Sequence, residues 1–466
     1  MSSFPFQSWW AASPSHARRT AVAASGLVSV LVALSGIIWA SPDVRKAISS
    51  GAQAVVSADP FLAKNAALAK HVLSLQQQLW HEQGTMTALK ATSLSHQAQS
   101  ASQLAHLQQQ LIATQHQLAA AEASHGTITS ATGATTVSAP SKAQLLDPTS
   151  RYYGMYTQQS PFNYAEMNAT SKKVGVQPNL VGYFQGWDQN FRADAVTAAW
   201  SHGQLPLLTW ESQPSTAGNN EPNQPTYSLS AILSGSFDSY IENYAKGVAS
   251  TGLPLAIRLD HEMNGVWYPW SEDDGHGGSI NGNSPGDYAK AWQHIWNIFQ
   301  AEGANQYVIW DWSPNIINNL TASHKTLAYT QSLYPGDKYV DWVGLSGYLR
   351  PPFSADQKFT FDATYGPSLA ILRQITNKKI ILSEIGASDV GGHKPAWIAS
   401  LFAALAEPQN SDIVGFAWFD EAVTTYIGGQ LGTNDWRVDS RPEALAAFIA
   451  GLTNSADNFV LTPPPS

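Results

Sequence analysis

Eight short apolar runs, rich in β-branched and aromatic residues, recur through residues 151–452 of the 466-residue chain. They are Tyr152–Thr157, Leu180–Phe184, Leu205–Trp210, Leu255–Leu259, Tyr307–Trp312, Trp342–Ser346, Ile380–Ser383 and Val414–Trp418. Stretches with helical periodicity lie between them, namely Phe191–His202, Ser236–Ser250, Asp287–Glu302, Ala363–Thr376, Ala396–Leu405 and Pro442–Ala450. Strands that alternate with helices in this way predict an α/β fold, a (β/α)₈ barrel.

Polar residues stand where the predicted strands run into the following loops. They are Gln185, Glu211, Glu262, Asn315, Tyr348, Glu384 and Asp420. In a (β/α)₈ barrel the loops at the carboxyl ends of the strands carry the active site. We therefore expect these side chains to converge at one mouth of the barrel.

Glu262 and Glu384 form the most informative pair, because each ends an apolar run, in the fourth and the seventh predicted strand. A single glutamate at a strand end is usually a capping residue or part of a salt bridge. Two of them can cut a glycosidic bond, one as acid/base and the other as nucleophile. Alternation along the fourth strand places Arg258, Asp260 and Glu262 on one face. A buried arginine would keep one carboxylate ionised while the other stays protonated. A separation of about 5 to 5.5 Å would give a retaining reaction.

The composition excludes several other classes of function. A net charge of -9 cannot neutralise nucleic-acid phosphates, but it suits a neutral polysaccharide partner. The chain has no cysteine, no spaced His/Cys cluster, no glycine-rich phosphate loop after a strand and no GxSxG motif. We therefore expect no metal and no cofactor. Trp187, Trp210 and Trp312 are candidate platforms for sugar stacking, with core packing as the equal alternative.

Two segments carry a resemblance to a known family. His261-Glu-Met-Asn-Gly-Val-Trp-Tyr-Pro-Trp270 and Ser383-Glu-Ile-Gly386 resemble glycoside hydrolase family 26. That family belongs to a clan of retaining (β/α)₈ hydrolases. The resemblance covers the domain from about residue 151 and no part of the first 150 residues.

The resemblance assigns a role to each matching residue. It implies that Glu262 is the acid/base and Glu384 the nucleophile. Residues implied to support the nucleophile are Arg258 and Tyr348, and those implied to bind substrate are His261, Trp267 and Trp418.

The substrate stays open between polymers. The family's commonest activity is endo-cleavage of β-1,4-mannan, whereas Met263-Asn-Gly265 followed by Trp-Tyr-Pro-Trp resembles the branch that includes mixed-linkage β-glucanases. Mannan and β-1,3-1,4-glucan are near-equal candidates, with xylan a distant third. The loop 271–285 is expected to border the cleft, where it could tune specificity or bind a cation through Asp273 and Asp274.

The amino-terminal region predicts a membrane anchor. Residues 20–42 contain no charged residue and follow Arg18 and Arg19. About 20 apolar residues span a bilayer as a helix, and the arginines should stay in the cytoplasm. The prediction is a cytoplasmic tail at 1–19, a transmembrane signal anchor at 20–42 and a catalytic domain outside the cytoplasm, in the cell envelope. A cleaved signal peptide is the alternative.

Residues 60–124 predict a helical stalk or coiled coil. Apolar residues step alternately by four and three positions, first at Leu68, Val72, Leu75 and Leu79 and again at Leu104, Leu107 and Leu111. A spacer is the simpler interpretation, and self-association into a homo-oligomer is the other. Composition further predicts a flexible linker at 125–150, the barrel domain at 151–454 and a disordered tail at 455–466.

Together these patterns predict an anchored, retaining endo-β-glycanase that hydrolyses internal bonds of a polysaccharide by double displacement. Two alternatives remain. One is a non-catalytic glycan-binding protein of the envelope. The other is a transglycosylase that remodels exopolysaccharide.

Overall fold

The structure is a computed structural model, and it describes residues 137–465 apart from 219, 428 and 429. The predicted cytoplasmic tail, membrane anchor, helical stalk and first part of the linker lie outside the described residues. Across the described ranges, none of the helices has both the length and the apolar character needed to cross a membrane.

Eight parallel strands close into a barrel in which each pairs with the next along the chain and the last pairs with the first. They are β1 (Tyr152–Tyr156), β2 (Leu180–Gly186), β3 (Leu205–Glu211), β4 (Leu255–Leu259), β5 (Val308–Trp312), β6 (Trp342–Leu349), β7 (Ile380–Ala387) and β8 (Ile413–Phe419). The predicted barrel is confirmed. The sixth and seventh strands run on to Leu349 and Ala387, which brings Tyr348 and Glu384 inside the sheet.

Ten α-helices occur within the described residues. They are α1 (Lys142–Leu146), α2 (Ala165–Val174), α3 (Ala193–Ser201), α4 (Leu229–Leu233), α5 (Asp238–Thr251), α6 (Asp287–Ala301), α7 (Leu327–Ser332), α8 (Phe361–Ile375), α9 (Lys394–Ala406) and α10 (Pro442–Leu452). The six predicted helical stretches correspond to α3, α5, α6, α8, α9 and α10.

Helix α6 shows how the sequence determines which face of a helix packs against the barrel. Its buried residues recur at spacings of three and four and so form one stripe, made of Tyr288, Ala291, Trp292, Ile295 and Phe299. Each fully buried side chain of this size contributes roughly 1.5–3 kcal/mol against the barrel wall. Left-handed glycines lie beyond each end, Gly286 with φ 87° and Gly303 with φ 69°.

A two-stranded hairpin follows the barrel and was not predicted. It consists of β9 (Ala422–Ile427) and β10 (Gln430–Asp435), which pair antiparallel. The chain then returns to the barrel, where the backbone N–H of Trp436 donates to the carbonyl of Glu421 at 2.9 Å. The hairpin thereby delivers Trp436 to the mouth formed by the carboxyl ends of the strands.

The chain on both sides of the barrel packs against it. Helix α1 covers the amino ends of the strands, where the Tyr152 hydroxyl donates to the carbonyl of Leu145 at 2.9 Å. At the other terminus, Asp457 is buried and its carbonyl accepts from Arg151 at 2.8 Å. Residues 142–146 and 455–457, which the composition places in a flexible linker and a disordered tail, thus form helical turns that pack against the barrel. Composition alone does not show which backbone groups find partners.

Candidate active site

Glu384 lies in β7 with its carboxylate buried at 4% exposure. Its Oε2 accepts from the guanidinium of Arg258 at 2.6 Å, and its Oε1 accepts from the hydroxyl of Tyr348. The three side chains come from β7, β4 and β6, as the predicted convergence at the barrel mouth requires. Two side-chain donors, one charged and one neutral, therefore hold this carboxylate in place.

Arg258 is fully buried, and its guanidinium makes four hydrogen bonds. Besides Glu384, its guanidinium donates to the hydroxyls of Ser313 at 3.0 Å, Thr209 at 3.2 Å and Ser346. Burial opposes the charge, but the neighbouring carboxylate of Glu384 prevails and the pKa of Arg258 lies above its ordinary value. A buried cation of this kind is tolerated because it has a carboxylate partner and three further hydrogen bonds.

Glu262 stands in a tight turn beyond the end of β4. Both Asp260 (φ 41°) and Glu262 (φ 56°) are left-handed, a costly conformation for residues with side chains. The prediction that Arg258, Asp260 and Glu262 share a face by strand alternation is therefore wrong, since the strand ends at Leu259. The carboxylate of Asp260 instead accepts from the backbone and hydroxyl of Ser212 at 2.7 and 2.9 Å.

Other elements hold this turn in place through its backbone. The N–H of Glu262 donates to the carbonyl of Ser313 at 2.7 Å. The Tyr288 hydroxyl donates to the carbonyl of Asp260 at 3.1 Å, and the Trp270 indole donates to that of His261 at 2.7 Å. Such contacts supply what a strained turn needs in order to persist.

The carboxyl group of Glu262 is completely buried. Burial, and next the charge of Glu384, raise its pKa to about 7, against opposing effects of Arg258, Asn315 and Trp267. Its Oε2 accepts from the half-buried Trp267 indole at 2.9 Å. A side chain at Gly265 would overlap the Trp267 ring, so this glycine makes room for the contact.

His261 and Glu211 lie side by side next to this turn. Nδ1 of His261 is 3.8 Å from Oε1 of Glu211. Burial and then Arg258 lower the pKa of His261 well below its ordinary value, and burial raises that of Glu211 to about 8. Both groups are therefore neutral at neutral pH. Phe184, exposed by 43%, lies with its ring 6.3 Å from that of His261.

Four predicted sugar-binding tryptophans are corrected. Each is at most 3% exposed and packs in the core: Trp187, Trp210, Trp312 and Trp418. Alternation explains two of them, because Thr209 and Asp311 face the barrel interior and their neighbours Trp210 and Trp312 must face the helices. Trp418 packs at 5.4 Å from Phe448 and donates to the carbonyl of Trp436 at 2.8 Å.

Three residues at the site had no assigned role in the sequence analysis. Trp436 lies with its ring 4.7 Å from that of Tyr348. Arg350 follows β6, where burial lowers its pKa to about 9 against the charge of Glu262. Glu211 was noted only as a polar residue at a strand end. A pattern of strands and helices gave no signal for Trp436, since it arrives from the hairpin.

Acidic groups of the loop 271–285 accept hydrogen bonds from the protein itself. Oδ1 of Asp273 accepts from the ring of His324 at 2.7 Å, and Oδ1 of Asp274 accepts from the backbone of His276 at 2.8 Å. No group of three or more His, Cys, Asp and Glu side chains suited to a metal ion occurs in the part of the chain that the structure describes.

Comparison with known proteins accounts for this arrangement. Residues 217–382 match the model of glycosyl hydrolase family 26, a span that includes Arg258, Glu262 and Tyr348 and stops just before Glu384. Over these residues the barrel matches glycosyl hydrolase family 26.

Two curated relatives show how far the sequence similarity extends. Endoglucanase H of Acetivibrio thermocellus is 29% identical over 342 residues, which is 67% of this chain and 34% of that protein. A mannan endo-1,4-beta-mannosidase of Bacillus subtilis (strain 168) is 22% identical over 298 residues, covering 58% of this chain and 73% of that protein. The chain thus spans about a third of the length of the endoglucanase.

Among solved structures, the catalytic domain of a family-26 endo-beta-1,4-mannanase from Bacillus sp. JAMB-750 superimposes with a TM-score of 0.49. It is 18% identical, over 67% of this chain and 88% of that one.

Proposed function

We propose that the chain is a retaining endo-β-glycanase that hydrolyses internal bonds of a β-linked polysaccharide by double displacement. The observation that carries this proposal is the unequal environment of its two buried glutamates. Glu384 accepts from a guanidinium and a phenol, whereas burial raises the pKa of Glu262 to about 7. One carboxylate is thereby prepared as nucleophile and the other carboxyl as proton donor.

The first step forms a covalent intermediate. A carboxylate oxygen of Glu384 attacks the anomeric carbon, while Glu262 gives its proton to the leaving glycosidic oxygen. The bond between that carbon and oxygen breaks, and the downstream part of the polymer leaves as an alcohol. Arg258 and Tyr348 hold the nucleophile, so little reorganisation is required as its charge is consumed.

The second step releases the sugar. Glu262, now ionised, takes a proton from water as the water oxygen attacks the anomeric carbon. The ester bond to Glu384 breaks, and the carboxylate regains its contacts with Arg258 and Tyr348. Two inversions at one carbon leave its configuration unchanged.

For the substrate, we propose a β-linked glucan first and a mannan second. The names of the two curated relatives, an endoglucanase and a mannan endo-1,4-beta-mannosidase, support one backbone each. The higher identity belongs to the endoglucanase, at 29% against 22%. Half-buried Trp267 and exposed Phe184 provide apolar surface suited to the C–H faces of either sugar.

The proposal is tested by release of reducing ends from mixed-linkage glucan, glucomannan, galactomannan and β-1,3-xylan. We expect the full chain to cut glucan or mannan, and Glu384→Ala to cut neither. Proton NMR of the first product should show the β-anomer before mutarotation. Binding without cutting would favour the non-catalytic alternative, and products longer than the substrate would favour the transglycosylase.

We further propose that residues 20–42 anchor the chain and that the barrel lies outside the cytoplasm. The uncharged stretch behind Arg18 and Arg19 supports this proposal. External protease should degrade the barrel in intact cells, whereas a cytoplasmic marker protein should survive. Protection of the barrel until the cells are lysed would contradict the proposed orientation.

A further inference from the structure

A buried histidine contacts the turn that carries Glu262. His324 lies in a short 3-10 turn, Ala322–Lys325, and is 1% exposed. Its Nδ1 is 2.9 Å from the carbonyl oxygen of Asn264, and its Nε2 is 2.7 Å from Oδ1 of Asp273. Its ring stacks on Tyr329 with centroids 3.9 Å apart. The position and the rotation of the imidazole are therefore both fixed.

Both ring nitrogens of His324 face oxygen atoms of other segments. On one side the partner is a backbone carbonyl, which can only accept a hydrogen bond. On the other side it is the carboxyl group of Asp273, whose Oδ1 also accepts from the backbone of Gly275 at 2.7 Å. His324 thus forms a buried bridge between two segments of chain.

One of these segments is the turn of the acid/base residue. Asn264 follows Glu262 by two residues. Its side chain pairs reciprocally with the backbone of Asn315, at 2.8 Å in both directions. Asn315 in turn hydrogen-bonds the carboxyl group of Glu262, which lowers the pKa of that group. The other segment is loop 271–285, through Asp273. His324 thus connects that loop to a strained backbone conformation that sets the direction of the Glu262 carboxyl group.

We propose that His324, which bridges Asn264 and Asp273, is a positioning residue that keeps Glu262 aligned for proton donation. The proposal rests on the assignment of Glu262 as acid/base in the proposed function. It assigns to loop 271–285 a part in acid catalysis besides bordering the cleft. A displaced acid slows the expulsion of poor leaving groups far more than that of good ones, and general acid catalysis contributes about 10²–10⁴-fold.

Two substitutions separate the contacts of the ring. In His324→Gln the amide N–H can replace Nε2 and keep the contact with Asp273, whereas in His324→Asn it can replace Nδ1 and keep the contact with Asn264. We expect His324→Gln to lower kcat/KM about 10- to 100-fold on an unactivated oligosaccharide and less than about threefold on its 2,4-dinitrophenyl glycoside. His324→Asn keeps the contact with Asn264 but releases loop 271–285, so it should show a smaller loss, about three- to tenfold on the oligosaccharide and less than about threefold on the 2,4-dinitrophenyl glycoside.

His294→Asn is the matched control, because His294 pairs with Asp238 at 2.6 Å between α6 and α5, away from the site. It should leave both rates unchanged. An equal loss on both substrates in His324→Gln, an equal loss in the Asn and Gln variants, or no loss at all overturns the proposal. If His324→Gln does not fold, Asp273→Asn, whose side chain is 32% exposed, is tested in the same two assays. A loss confined to the oligosaccharide supports the proposal, and any other result overturns it.

Wild type and Glu384→Ala are measured first on the same two substrates. Inactive wild-type protein would overturn the proposed function. Active wild type with an indiscriminate loss in the His324 variants would overturn only the role of His324.

Discussion

The surroundings of Glu262 and Glu384 differ in backbone conformation and in the charge of the groups that donate hydrogen bonds to each carboxyl group. Glu384 sits within a strand and receives two side-chain donors, one of them charged. Glu262 sits in a strained turn, and its Oε2 accepts a hydrogen bond from a neutral indole, that of Trp267. These two environments suit the roles proposed for the two glutamates, nucleophile for Glu384 and proton donor for Glu262.

The supports of the two groups also differ in kind. Residues of the sheet hold Glu384, through Arg258 on β4 and Tyr348 on β6. Loop residues hold Glu262, through Trp267, Asn264 and His324. Strands are fixed by their ladders, whereas loops can vary without disturbing the barrel. The proposed nucleophile is thus held by the barrel sheet, whereas the proposed acid/base residue depends on the loops around it.

Replacing the nucleophile should have the largest effect. We expect Glu384→Ala to lower kcat by more than about 10⁴-fold on every substrate, because no other group forms the covalent intermediate. Initial rates on polysaccharide and on an aryl glycoside measure this loss. Glu443→Ala, at an exposed position of α10, is the control and should be neutral. Residual activity near the wild-type rate would show that Glu384 is not the nucleophile.

Replacing the acid should produce a selective loss. Glu262→Ala should lower kcat/KM about 10²–10⁴-fold on polysaccharide, but much less on a 2,4-dinitrophenyl glycoside whose leaving group needs no proton. Azide should restore turnover of the aryl glycoside and give a β-glycosyl azide, since it attacks without a general base. A uniform loss on both substrates, or an α-glycosyl azide, would show that the two glutamates do not divide the work as described.

Arg258 tests the charged side of the comparison through stability. Arg258→Met should lower the free energy of unfolding by about 3–5 kcal/mol, because it leaves Glu384 buried without its partner. Urea unfolding monitored by tryptophan fluorescence measures the change. The same substitution should cost less in a Glu384→Gln background, where no carboxylate remains. Equal costs in both backgrounds would mean that the ion pair is not the reason for the loss.

The pKa of Glu262 predicts the alkaline limit of activity. The carboxyl must be protonated to act as acid, and its pKa is about 7, so kcat/KM on polysaccharide should fall about tenfold per unit above pH 7. The fall should be absent from kcat/KM on the 2,4-dinitrophenyl glycoside, which serves as the internal control. The same alkaline limb on both substrates would assign it to a group other than Glu262.

Lys394 should give the smallest effect. Its buried ammonium donates to the carbonyls of Asp435 and Arg437, on either side of Trp436, and to the hydroxyl of Ser440. Lys394→Met should loosen the segment that packs Trp436 against Tyr348, and should lower kcat a few-fold with a loss of about 1–3 kcal/mol in stability. Lys290→Met, at an exposed lysine of α6, should change neither. An unchanged kcat would show that Trp436 does not help to hold the nucleophile.

The sequence predicted the barrel well because its signals are local. Each strand is a short apolar run, and a residue such as Glu384 at the end of a run was expected at the mouth. The same pattern could not show that the chain leaves β4 at Leu259 and turns through two left-handed residues, because that turn is held by contacts from distant segments. Glu262 was expected at the barrel mouth because side chains alternate along a strand, but the strand ends at Leu259 and alternation does not apply beyond it.

The tryptophans show the limit most clearly. A large aromatic residue at a strand end can either stack on a sugar or pack in the core. Which of the two it does depends on whether its neighbours along the strand point into the barrel or towards the helices. Thr209 and Asp311 face inward, so Trp210 and Trp312 face the helices. Trp436 follows a hairpin of Thr-, Gly- and Gln-containing strands that had no apolar run to reveal it.

Helix α1 has a practical consequence for producing the catalytic domain. Leu145 is buried, Lys142 pairs with Asp341 at 2.8 Å, and Trp342 donates to the carbonyl of Leu146. A shortened protein that starts at residue 151 would uncover Tyr152 and Trp342 at the base of the barrel and would be prone to aggregate. A protein that starts at residue 137 keeps this cover. The truncation should therefore be made before helix α1, within the segment whose composition predicts a linker.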